Sequence, residues 1–180
     1  MERGVEVGDE PVVVGQPRTD AVEHPAGAAP SDAEQPFVGT FEPRLDDKGR
    51  LFLPAHFRPR LAAGLMLTPG QERCIYVFTR AGFNKAFASL RDAPLSDPNA
   101  RMIQRWVMAK AADDVPDKQG RITVPPVLRE WAGLTKDCVV VGAGRRCEIW
   151  DAATWARLSS ASAEEFATFA IGGDGPSFEY

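Results

Sequence analysis

From Phe37 onward the chain alternates. Phe37, Gly39, Phe41, Pro43 and Leu45 fall on one side, Val38, Thr40, Glu42 and Arg44 on the other. A period of two with one apolar side predicts a strand with one buried face. Residues 65–68 and 74–78 read as two further strands, and the same pattern returns at 138–141 and 146–150. Ahead of each pair, a proline (Pro54, Pro125) opens a short helix, at a position where its missing N–H costs nothing. The apolar face of that helix is Phe57/Leu61 in the first instance and Leu128/Trp131/Ala132 in the second. A helix after each strand pair carries Phe83, Phe87 and Leu90, or Trp155 and Leu158. The latter starts after Asp151, a good N-cap. Residues 99–110 place Met102, Ile103, Trp106 and Val107 on one helical stripe.

The recurrence extends to identities. Residues 46–58 read DDKGRLFLPAHFR and residues 117–129 read DKQGRITVPPVLR. Asp46/Asp117, Gly49/Gly120, Arg50/Arg121, Pro54/Pro125 and Arg58/Arg129 are identical, and Leu51/Ile122, Leu53/Val124 and Phe57/Leu128 match in character. The spacing exceeds the ~20–50 residues of a solenoid repeat. It predicts a duplicated small module, with short strands at 50–53 and 121–124 following the two Asp-x-x-Gly turns.

Composition refines this picture. The chain has 180 residues and a formal net charge of -4, which taken whole disfavours a nucleic-acid partner. The charge is partitioned, however. Residues 1–36 hold eight acids and two bases, and residues 159–180 hold four acids and no base. The span 37–158 holds 19 bases and 13 acids, a net of +6. Residues 1–36, rich in Pro, Gly, Ala and acids, are expected to form a disordered acidic extension, because they cannot bury enough surface to offset chain ordering. Residues 171–180 are expected to be a flexible tail. That leaves modules at 37–108 and 109–170. Opposite charge would draw that extension toward the basic span 37–158.

Several function classes fall away. The apolar runs are far shorter than the ~20 residues that cross a bilayer. The first residues lack the basic start and apolar run of a secretory signal, so a cytoplasmic location is expected, without membrane association. Cys74, Cys138 and Cys147 form no Cys-x-x-Cys pair and read as buried small hydrophobes rather than a disulfide framework or zinc site. His56 is the one histidine of the body, so a Ser-His-Asp arrangement would rest on it alone. No phosphate-binding loop or nucleophile elbow occurs, and Gly142-Ala143-Gly144 reads as a turn between strands. No cofactor, metal or small-molecule ligand is expected.

The candidate site is the doubled turn. Gly49 and Gly120 can take the positive φ that a turn into a strand needs, and Asp46 and Asp117 can cap turn amides. Arg50 and Arg121 emerge beside the turns, with Lys48 and Lys118 at the tips. Two such turns side by side would gather four cations. Guanidinium groups bind phosphate bidentately and read guanine in the major groove. The plain alternative is a solvated turn in which Asp and Arg bond to each other. Two other classes are weighed. Asp46/Asp47 with Asp113/Asp114/Asp117 could hold magnesium for phosphoryl transfer. The stripes at Phe83/Phe87 and Trp155/Leu158 could make an interaction scaffold, although core or interface packing explains them better. Single-stranded RNA is disfavoured, because Phe52 is the one stacking candidate near the turns.

These residues resemble a known family, the MraZ transcriptional regulators of the bacterial division and cell-wall gene cluster, which are tandem SpoVT-AbrB-type proteins. The marks are Gly39-Thr40, Leu45 through Arg50, Leu53-Pro54-Ala55 with Phe57-Arg58, Asp117 with Gly120-Arg121-Ile122, Val141-Gly142 and Glu148-Ile149-Trp150. The resemblance implies an α+β fold in which two modules form a pseudo-dimeric swapped-hairpin β-barrel with peripheral helices. It further implies a nucleoid-associated repressor that binds double-stranded promoter DNA at direct repeats as a homo-oligomeric ring, with Arg50 and Arg121 as the DNA-contacting arginines. Two departures stand out: the segment before Phe37 is extra, and copy two has Gln119 where copy one has Lys48.

Overall fold

The structure is a computed structural model, and residues 1 and 35–168 are described. Residues 2–34 of the expected acidic extension, and the expected 171–180 tail, lie outside the described residues.

Strands follow the alternation. They are β1 (Thr40–Phe41), β2 (Arg50–Phe52), β3 (Leu65–Pro69), β4 (Ile75–Thr79), β5 (Ala112–Asp114), β6 (Arg121–Thr123), β7 (Cys138–Ala143) and β8 (Arg146–Asp151). The helices are α1 (Arg58–Leu61), α2 (Arg80–Ala86), α3 (Ala88–Arg91), α4 (Pro98–Met108), α5 (Pro126–Ala132) and α6 (Ala152–Thr168), with single 3-10 turns at Ala55–Phe57 and Gln71–Arg73. The class is α+β.

The pairing is what joins the two repeats. β3–β4 and β7–β8 are antiparallel hairpins, and β4 pairs with β8 to join them. The leading strand of each repeat lies on the hairpin of the other: β1 on β7, and β5 on β3. The resulting order is β1-β7-β8-β4-β3-β5, all antiparallel, while β2 and β6 form a separate two-stranded ribbon. The closed barrel implied by the resemblance is not formed among the described residues. β1 and β5 remain as the sheet's edges, because β2 and β6 pair with each other instead of carrying the sheet round.

The alternation sends side chains to two clusters. Phe37, Leu51, Phe57, Leu61, Leu65, Leu67, Ile75, Val77, Ile122, Leu128, Val140 and Ile149 form one core drawn from both repeats. Cys74, Val139 and Trp150, at odd-numbered steps from those positions, form a second cluster on the other face, covered by Trp155 and Leu158 of α6. Asp151 caps α6 as expected, accepting the Thr154 N–H at 3.2 Å. The turn expected over 142–144 is shorter and later: Gly142 and Ala143 continue β7, pairing with Cys147 and Arg146, and the chain reverses at Gly144, at φ +69, and Arg145.

Three further expectations change. The first proline helix is not one regular piece. Pro54 precedes a 3-10 turn and the α-helix starts at Arg58, whereas Pro125 caps α5 directly and Pro126 takes its first turn. The helix through Phe83, Phe87 and Leu90 breaks at Phe87 (φ -105, ψ 12), and Phe83 and Phe87 pack against Phe78. On α4, Val107 is buried but Met102, Ile103 and Trp106 are exposed. Periodicity reports which residues share a side, not whether anything covers that side.

Candidate nucleic-acid interface

One carboxylate builds each turn. Asp46 Oδ1 accepts the backbone N–H of Lys48 at 2.9 Å and of Arg50 at 2.8 Å. Its Oδ2 accepts Arg50 Nε at 2.8 Å and lies 2.7 Å from Nη2. Asp117 repeats the pattern. Its Oδ1 takes the N–H of Gln119 and Arg121, both at 2.9 Å, and its Oδ2 meets Arg121 Nε at 2.7 Å and Nη2 at 2.6 Å. Gly49 and Gly120 donate back to the carbonyls of Asp46 and Asp117. Their φ values, +74 and +78, lie where a side chain is strained, so the turn requires glycine twice.

The electrostatics follow from these bonds. The Arg50 guanidinium, and after it the Arg50 N–H, hold the Asp46 carboxyl below its ordinary range. Asp117 is lowered to about 2, by the Arg121 N–H first and its guanidinium next. The plain Asp–Arg pairing of a solvated turn is therefore present, and it also orients the arginine. A guanidinium has five N–H groups. Asp46 engages the Nε edge, which leaves the Nη1–Nη2 end for a second acceptor. Forked recognition of phosphate or guanine uses two such neighbouring donors.

The ribbon ties the two turns into one unit but sets them at its opposite ends rather than side by side. Arg50 pairs with Thr123, Leu51 with Ile122 and Phe52 with Arg121. Leu53 N–H donates to Gly120 O at 2.9 Å, and Val124 N–H to Gly49 O at 2.8 Å. Leu51 and Ile122 point into the core. Arg50, Phe52, Arg121 and Thr123 therefore share the outer face. The lysines stand exposed at the tips, but at unlike positions. The Lys48 N–H caps onto Asp46 as that of Gln119 does onto Asp117, so Lys118 matches Asp47.

Sequence reasoning gave Arg58 and Arg129 no part in the site, although they close the repeated motif. Each lies over the turn of the other repeat. A Cβ on Gly120 would meet Arg58 Nε at 2.3 Å, and one on Gly49 would meet Arg129 Cζ at 3.0 Å. Arg58 Nε also donates to Leu53 O at 2.9 Å. Their identity across the repeat was the available signal.

The carboxylates weighed for magnesium are dispersed. Asp113 forms a fork with Arg80, at 2.9 and 2.8 Å. Asp114 accepts the N–H groups of Val115 and Thr123. Among the described residues, no three His, Cys, Asp or Glu side chains group to hold a metal ion. His56 packs on the rings of Phe41 and Phe57. The three cysteines are free and buried. No helix among the described residues is long and apolar enough to cross a membrane.

Fold and site together define a tandem-repeat protein whose two copies share one antiparallel body and display a doubled Asp–Arg turn. A family model described as "MraZ protein, putative antitoxin-like" matches residues 37–106 and 108–170, one match per copy. The chain belongs to the MraZ family. It is 57% identical over 119 residues to a protein of Paenarthrobacter aurescens named "Transcriptional regulator MraZ", covering 66% of this chain and 83% of the relative. It is 54% identical over 131 residues to a protein of that name from Frankia alni, covering 73% and 92%. Another from Thermobifida fusca is 50% identical over 134 residues, covering 74% and 94%.

Proposed function

We propose that this protein is a transcriptional regulator, not an enzyme, that binds double-stranded promoter DNA sequence-specifically through the paired turns. The observation that carries the reading is the stitched pair of turns, each holding an arginine by its Nε edge with its forked end left over. Arg50 is the leading base-reading residue and Arg121 its counterpart. Asp46, Gly49, Asp117 and Gly120 shape the turns, and Lys48 and Lys118 meet phosphates. The side chain of Arg50 is 32% exposed and that of Arg121 is 23% exposed, which favours Arg50 for the first role. The two repeats act as an intramolecular pseudo-dimer in the swapped-hairpin sense, each donating its leading strand to the other's hairpin.

The relatives' names support a transcriptional regulator, and the resemblance implies the finer role of a repressor of the division and cell-wall gene cluster that occupies direct repeats at the nucleoid. A body charge of +6 gives one chain few phosphate contacts, each contributing a salt slope of about -0.9. Assembly into a homo-oligomeric ring multiplies those contacts and lets neighbouring subunits meet half-sites near one helical turn apart. The exposed Met102, Ile103 and Trp106 of α4 offer surface for that assembly.

A gel shift with the DNA upstream of the protein's own gene, alongside a sizing column, tests the reading. Arg50→Ala is expected to abolish specific binding with elution and melting unchanged, because a turn arginine adds little to a core. Undiminished binding would overturn the site.

A further inference from the structure

Phe52 is an exposed aromatic on the outer face of the ribbon, at the end beside Arg121. The residue is 47% exposed, while Leu51 beside it is fully buried. Burying a phenylalanine stabilises a chain, and the free chain forgoes part of that here. The ring is held in place. Phe52 stands opposite Arg121, whose guanidinium carbon lies 5.8 Å from the ring centroid, and Asp117 grips that guanidinium in turn.

The repeat counterpart of Phe52 is Thr123, which stands opposite Arg50. The two halves of the ribbon are therefore alike in backbone and arginine but unlike at this one outward position. One end presents Arg50 with Thr123 opposite it and Lys48 in the adjoining turn. The other presents Arg121 with Phe52 opposite it and Gln119 at the corresponding turn position.

We propose that Phe52 reads a thymine by packing on its 5-methyl group in the major groove, so that one chain recognises a non-palindromic base sequence. This rests on the DNA-binding reading above. The 5-methyl is the one apolar feature on the major-groove edge of the base pairs, and phenylalanine is among the side chains suited to it. A two-fold ribbon with identical faces would ask for an inverted repeat within the span of one chain. Phe52 against Thr123 breaks that equivalence while leaving the two arginines free to read the same base.

The test uses the full chain. The tightest duplex is selected from a random-sequence pool, and each thymine in it is then replaced by deoxyuracil, which lacks only the methyl group. One replacement is expected to weaken binding by about five- to tenfold, at the low end of what a good bidentate base contact discriminates. Phe52→Thr should weaken binding to the thymine duplex by the same factor and be indifferent to that replacement. Phe52→Leu, which keeps an apolar contact but not the ring over Arg121, should retain the methyl dependence. A wild-type chain indifferent to every replacement, or a Phe52→Thr variant as sensitive as wild type, overturns the inference while DNA binding stands. Failure of any duplex to be selected overturns both readings.

Discussion

Leu51 stands directly opposite Ile122, its own counterpart in the other repeat, at the centre of the β2–β6 ribbon. Both are buried, at 0% and 1% exposure. The symmetry of the pair means that truncating either side chain opens one shared space. Leu51→Ala and Ile122→Ala should each cost about 2–5 kcal/mol. The double variant should cost less than their sum, by about 0.5–3 kcal/mol, because the second truncation enlarges a cavity already formed. Denaturant unfolding of the four proteins gives the coupling directly. Strict additivity would place the two side chains in separate environments.

Gly142 has an ordinary φ but no room. A Cβ there would lie 2.3 Å from Val38 N and 2.6 Å from Phe37 O, and backbone atoms cannot step aside as a side-chain tip can. Gly133 sits at φ +58 with nothing within 4 Å. Gly133→Ala should cost only the left-handed penalty, about 1–2 kcal/mol. Gly142→Ala should cost more, by prising the segment from Phe37 to Phe41 off β7. Unfolding midpoints rank the two, and limited proteolysis near Val38 should increase for Gly142→Ala alone.

Asp117 titrates at about 2, against an ordinary value of 3.8. A carboxyl lowered in the folded state adds stability that is fully present above its unfolded value. That stability is lost as pH falls through the folded value. The turns should therefore be insensitive to pH above about 5 and loosen between about pH 4 and 2. Carboxyl carbon NMR should show the Asp117 inflection near 2. The causes rank differently in the two turns, with the guanidinium first for Asp46 and the backbone N–H first for Asp117. Arg50→Ala and Arg121→Ala should each raise the carboxyl of their own turn toward its ordinary range.

Burial drives the three thiols upward, Cys138 to about 11 and Cys147 to about 12, with Cys74 raised as well. Alkylation needs the thiolate. Iodoacetamide at pH 8 should leave all three unmodified in the native protein and label all three in denaturant, as read by intact mass. Rapid native labelling of Cys138 would show that the edge near Leu45 opens.

Much of the site was legible because its chemistry is local. Asp46, Gly49 and Arg50 lie within five residues, and every bond that shapes the turn runs inside that span. A carboxylate two residues ahead of an amide, and a glycine where φ must be positive, leave few alternatives. The parts of the site contributed from a distance were not legible. Nothing local in the sequence says that Arg58 lies over Gly120 or Arg129 over Gly49, since those contacts cross from one repeat to the other. Identity at both positions marked them as shared without saying what they touch.

The sequence by itself determined the repeat, the alternation of strands, both turns, the capped start of α6 and the buried cysteines. Each of these depends on neighbours within a few positions or on a periodicity of two or 3.6. Only the tertiary structure decided the partners: β1 on β7, β5 on β3, β2 on β6, and a sheet that stays open at β1 and β5. An apolar strand face satisfies its burial against any matching face, so alternation cannot choose between a strand's own hairpin and that of the other repeat. The same reason left the α4 stripe undecided. Its spacing placed Met102, Ile103 and Trp106 together, and packing alone left them in solvent while taking Val107 into the protein.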